Sequence, residues 1–245
     1  MNFKKIFLYI FLFLFFLSNF SFSFAGESFW IGGSGNWNDP SHWSEKSGGK
    51  NNSSVPSPDD DVIFDNNSFH NNGDVVFIDD NAQCRNLTCR ELSYSFILSG
   101  TKTSSLSIYG SLVFANKMTN QFEGNFFFKS NQINNIICSA DQTFCGDIYF
   151  DGEKGGWKLT DDLQTSGTSS VYLVSGLLNT NSKDIFCQSF IGSGEKSRSL
   201  ILENSKIIIR RQWDFSNTSN LTFDAGKSKI FFLEKTDDKT FNGGG

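Results

Sequence analysis

Acidic residues occur in adjacent sets along this chain: Asp59-Asp60-Asp61 with Asp65 close behind, Asp79-Asp80, Asp161-Asp162 and Asp237-Asp238. Polysaccharide cleavage would need two carboxyls several ångströms apart across a groove, one with a raised pKa. Neighbouring residues on a strand point to opposite faces, so an Asp-Asp pair does not make that geometry by itself. Calcium is a second use, and Asp59, Asp60, Asp61 and Asp65 form the candidate Ca2+ set. The third use is favoured by the surrounding Gly, Asn and Ser: acids at bends that accept backbone N–H bonds.

Other reactive side chains are sparse. His42 and His70 are the two histidines, and neither lies beside a plausible nucleophile. There is no G-x-S-x-G elbow, H-E-x-x-H helix or phosphate-cradling glycine loop. No catalytic residue is expected, and no cofactor other than Ca2+. Three tryptophans, Trp30, Trp37 and Trp43, sit among glycines and asparagines. Exposed, they would form a sugar-stacking platform; buried, they would anchor a loop-rich cap, the reading their setting favours. Five cysteines (Cys84, Cys89, Cys138, Cys145, Cys187) lack zinc-site spacing and a nearby His. Export permits disulfides, with Cys84/Cys89 and Cys138/Cys145 as the local pairs, while an odd count leaves at least one thiol unpaired. Buried thiols stacked in a core are the alternative.

From Asp74 onward, short apolar runs recur, each closed by Gly, Asn, Asp or Ser. Val75–Ile78, Leu106–Ile108, Phe126–Phe128, Ile148–Phe150, Val171–Val174 and Ile207–Ile209 are examples. Their length suits strands, and none shows helical spacing. A recurring pattern of small or polar residue, then Asn, Asp, Ser or Gln, then a large apolar residue places Leu87, Leu106, Phe126, Ile148, Val171, Phe190 and Trp213 in one column. The steps are 19, 20, 22, 23, 19 and 23 residues. A period near 21 fits one coil of a β-solenoid, whose inward side chains are buried only when coils stack. Three prolines in the whole chain fit as well, because each coil's N–H groups are needed by a neighbour.

These elements predict an all-β fold: a right-handed parallel β-helix with coils of about 21 residues and an N-terminal loop-rich cap. Residues 1–25 read as a signal peptide: Lys4 and Lys5, the apolar run Ile6–Leu17, then Ser23-Phe24-Ala25 before the cut. Residues 26–74 form the Trp/Gly/Asn-rich cap, and residues 75–245 form the solenoid. Because Thr240–Gly245 stops in mid-pattern, the coils are expected to continue beyond the C-terminus. No membrane span is expected in the mature chain. The chain carries 21 Lys+Arg against 26 Asp+Glu. That acidity argues against nucleic acid as a partner, since phosphate needs a basic face.

The segment FWIGGSGNWNDPSHWS followed by VPSPDDDVIFD resembles the opening of large secreted and cell-surface β-helix repeat proteins of Bacteroidetes-type bacteria. Trp30, Gly32, Gly33, Gly35, Asn36, Trp37, Asp39, His42, Trp43 and Ser44 carry the first block. Val55, Pro56, Asp60, Asp61, Val62, Phe64 and Asp65 carry the second. NLTC, WKLTDDLQTSG, WDFSNTSNLTFDAG and TFNGGG are similar to repeats in such proteins. The resemblance implies a parallel β-helix array, secreted or on the outer cell surface, with an adhesive or surface-layer role. The expected function is a structural or adhesive repeat protein without catalytic activity. Its expected partners are extracellular polysaccharide and cell-surface or matrix components. A carbohydrate-active β-helix enzyme and a carbohydrate-binding module are the alternatives.

Overall fold

A computed structural model describes residues 26–233 and 239–244 of the 245-residue chain. The expected signal peptide and Asp237-Asp238 lie outside the described residues. The described backbone is all-β, its one helical element being a single 3-10 turn at Pro40–His42. Alternation of large apolar and small polar residues gives each short run one inward and one outward side. A lone coil cannot bury its inward side, so the coils stack. They form a parallel β-solenoid of about 8 turns with about 22 residues per turn.

Each coil visits three faces in turn. Face 1 stacks Asn81–Cys84, Ser105–Ile108, Asn125–Phe128, the leading parts of Ile148–Leu159 and Val171–Asn179, the trailing parts of Ile185–Ile191 and Lys206–Asp214, and Thr240–Asn242. Face 2 stacks Glu27–Trp30, Asp61–Phe64, Leu87–Cys89, Leu112–Val113, Asn135–Cys138, the trailing parts of Ile148–Leu159 and Val171–Asn179, Arg198–Ile201 and Leu221–Asp224. Face 3 stacks Gly35–Asn36, Asp74–Ile78, Phe96–Gly100 and Met118–Phe122. It resumes with Thr143–Phe144, Leu163–Thr165, the leading parts of Ile185–Ile191 and Lys206–Asp214, and Lys229–Phe232.

The column expected from sequence is the inward ladder of face 1. Leu106, Phe126, Ile148, Val171, Phe190 and Trp213 are consecutive backbone partners, and all are buried. Leu87 does not belong to it. That residue sits on face 2 between Val62 and Leu112, and Ala82 takes the place below Leu106. A small residue at Ala82 hides the strand from a search for large apolar side chains.

The boundary expected at residue 74 is not sharp. Asp61–Phe64 already runs parallel to Leu87–Cys89 as a rung of face 2. Ahead of it, Glu27–Trp30 pairs in parallel with Asp61–Phe64 and antiparallel with Trp43–Ser44. Trp30, Trp37 and Trp43 are each 0% exposed and meet edge-on, with centroids 5.0 Å apart in both contacts to Trp43. Trp30 Nε1 donates to Gly33 O and Trp43 Nε1 to Trp37 O, each at 2.7 Å. Buried indoles call for such acceptors, which the Gly33 and Trp37 carbonyls supply to two of the three, while Trp37 Nε1 is buried without a partner. The cluster seals the N-terminal end of the core.

Backbone pairing on face 3 is interrupted between Met118–Phe122 and Thr143–Phe144. Asn120 bridges the gap: its Nδ2 donates to Thr143 O at 2.9 Å, and its backbone N donates to Gln142 Oε1 at 3.0 Å. At the bend entering face 1, Gly146 is forced by space, since a Cβ there would lie 1.9 Å from Gly124 O.

Candidate functional site: an outward aromatic ladder and the fate of the acids

The acids are placed by the bends they close. Asp147 Oδ1 accepts from Ser170 N at 2.8 Å, one coil on. Asp162 Oδ1 accepts from Asp184 N, and Asp184 Oδ1 accepts from Lys206 N, both at 2.8 Å. Asp161 accepts from Ser139 N at 2.8 Å and Ala140 N at 2.6 Å. Each of these carboxylates satisfies a bend N–H that the sheet ladder cannot reach. Asp80 caps Asn81 N, and Asp79 is exposed.

The candidate calcium set does not converge. Asp59 is exposed, while Asp60 Oδ2 accepts from Ser57 N and Ser57 Oγ. Asp61 takes a two-point contact from Arg85 and a bond from Asn86 Nδ2. Burial opposes ionisation of Asp61, but the Arg85 and Asn86 bonds outweigh it and lower its pKa. Asp65 turns inward to Asn67 N and Ser68 Oγ. No group of three or more His, Cys, Asp or Glu able to hold a metal occurs among the described residues. The four carboxyls are not brought together: Asp60, Asp61 and Asp65 each turn to donors of their own, and Asp59 faces solvent.

The tryptophan platform fails as well, since all three indoles are closed to a ligand by burial. His42 stacks flat on Trp30 at 4.7 Å, with its Nδ1 2.9 Å from Ile31 O. The cysteines form no disulfide. Cys84 lies on face 1 and Cys89 on face 2, both buried, and burial pushes both thiols up. Cys138 faces Asp161 while Cys145 faces Asn120 O, so that pair is also kept apart.

What the coils do bring together is an exposed column that sequence reasoning passed over. Phe127, Tyr149 and Tyr172 point outward from face 1 on three successive rungs. Their rings stack at 4.8 Å and 16°, then 4.6 Å and 5°. All three are half-buried, so the rings cover one another and present their edges to solvent. Lys129 Nζ lies 5.0 Å from the centre of the Phe127 ring. On the same rim Asp151 Oδ1 receives Ser175 Oγ at 3.0 Å and Lys196 Nζ at 2.7 Å. On the other rim stand Asn125 and Asp147, the latter 3.4 Å from the Tyr149 hydroxyl. Burial and then the neighbouring Asp147 charge push the Tyr149 phenol up to about 12. The result is an apolar ribbon along the axis, edged by hydroxyl, amide and carboxylate groups. Its signal was the residue directly after each inward Phe126, Ile148 and Val171.

No protein-family profile, curated protein or solved structure matches this chain. No helix among the described residues is long and apolar enough to cross a membrane.

Proposed function

We propose that this chain is a non-catalytic structural and adhesive shaft, secreted or held at the outer cell surface, that binds extracellular polysaccharide along face 1. The observation that carries the reading is the Phe127–Tyr149–Tyr172 ladder, outward-facing and in register on a stiff parallel stack. A protein needs no such column to bury its core, and outward aromatics flanked by polar groups mark binding surfaces. A polymer with apolar C–H faces and hydroxyl rims matches it by apolar contact along the outward surface of the rings, while Asn125, Asp147 and the tyrosine hydroxyls meet the rims. Ladder and ligand share one axis, so affinity can accumulate over several rungs.

Co-sedimentation with insoluble polysaccharides tests the reading. The native protein is expected to pellet with at least one of them. Tyr149→Ala combined with Tyr172→Ala is expected to weaken retention about tenfold or more while the protein stays folded. Undiminished retention in the folded double variant would remove face 1 from the account.

A further inference from the structure

A second concavity, remote from the ladder, lies where the cap meets the first two coils. Its volume is about 550 Å³, within the range of small-ligand sites. The walls come from the Gly32 turn, the Gly48-Gly49 turn, the Asn66–His70 bend and Tyr94. Its floor is Phe69, 2% exposed and stacked on Phe96 at 4.2 Å and 14°. Asn67 Nδ2 donates to Ser47 Oγ at 2.8 Å and ties the glycine turn to the Asn66–His70 bend. Gly48 has φ 60, a conformation that a side chain would strain, and its Cβ would crowd Asn67 at 3.2 Å.

The lining chemistry is specific. No Asp, Glu, Lys or Arg contributes to the cleft. Tyr94 is 40% exposed, and Asn66 and His70 are exposed beside it. The His70 backbone is pinned, its N–H donating to Asp74 Oδ2 at 2.9 Å. Asp74 also receives Ser34 Oγ at 3.1 Å and Asn71 N at 3.0 Å, so one buried carboxylate fixes the wall to the cap. An aromatic ring, an amide and an imidazole around an uncharged, glycine-lined hollow can stack a pyranose and exchange hydrogen bonds with its hydroxyls.

We infer that the cleft between Gly48, Asn66, His70 and Tyr94 is a binding site for a neutral saccharide unit, distinct from the face 1 ribbon. A chain end or short oligomer fits a local hollow between turns, where a long polymer fits a ribbon that runs along several coils. The inference stands on residues that the face 1 reading does not use.

Titration calorimetry of the purified protein with neutral oligosaccharides and with uronate oligomers tests it. A neutral oligomer is expected to bind, with uronates at least tenfold weaker. Tyr94→Ala and His70→Ala are each expected to weaken binding about tenfold with an unchanged melting temperature, while Tyr149→Ala leaves it intact. Absence of neutral-sugar binding by the folded protein would overturn the inference, as would equal binding of uronates. Binding that survives Tyr94→Ala but not Tyr149→Ala would move the ligand to face 1 and overturn the cleft alone. Loss of polymer co-sedimentation with oligomer binding retained would overturn the face 1 reading alone.

Discussion

Ile148 lies between Phe126 and Val171 in the inward ladder of face 1 and is 0% exposed. Replacing it with Asp puts an unpaired charge among apolar side chains, at a cost of about 3–5 kcal/mol. Ile148→Asp should therefore lose its cooperative thermal transition and become sensitive to protease under conditions the native protein survives. Tyr149, one residue on, makes a different prediction. Its phenol is raised to about 12 in the folded protein, above the ordinary value near 10. The neutral form is the one the fold favours, so this stabilisation is complete below about pH 10 and is lost as pH rises through about 12. Ultraviolet titration should show late-ionising tyrosines, since burial raises Tyr172 as well, and the latest component should disappear in Tyr149→Phe. At this scale the sequence was half legible. Large apolar residues marked the inward positions, but an aromatic beside one reads as more core until the two sides of the strand are assigned. The acids were legible as bend residues. Which N–H each one meets depends on an adjacent coil, the next one for Asp147 and Asp162 and the previous one for Asp161, and that partner lies 21 to 23 residues away.

Elements that form short apolar runs closed by turn residues were evident in the sequence. Ser105–Ile108, Asn125–Phe128 and the start of Ile148–Leu159 are such cases. Met118–Phe122 was not, because its central inward residue is Asn120 rather than an apolar one. That asparagine does a job no apolar residue can do, joining the two halves of face 3 where backbone pairing stops. Asn120→Ala leaves Thr143 O and Phe122 N without their side-chain partner, while the backbone bond from residue 120 to Gln142 is kept, at a cost of about 1–3 kcal/mol. Hydrogen exchange should then speed up on both sides of the gap, in residues 118–122 and 143–144, and little elsewhere. A uniform change over all three faces would mean that Asn120 is not a local bridge. The cap was legible as loop-rich and tryptophan-anchored. Its merging with the solenoid was not, because Asp61–Phe64 is a rung only once Leu87–Cys89 lies against it.

The whole molecule is a one-dimensional stack, in which each coil contacts mainly its two neighbours. The first and the last described coils differ. At one end three tryptophans are fully buried; at the other, Phe223, Phe231, Leu233 and Phe241 are 43–58% exposed. Stability should therefore grade along the axis. Amide exchange is expected to be slowest from Ile63 to Leu173 and fastest in Leu221–Asp224 and Lys229–Phe232, in one continuous slope. A flat profile would show that the stack opens as a single unit. Period and fold class were visible early because a coil's length is written into one strand's spacing, whereas the contents of the bends are free to vary.

The tryptophan seal has a temporal side. A polypeptide that leaves a membrane pore amino end first would finish this seal before the later coils emerged. Each new turn could then settle onto a completed template, within reach of only its immediate predecessor. Such a shaft can grow outward at the pace of its own delivery, without waiting for distant parts of the chain to meet.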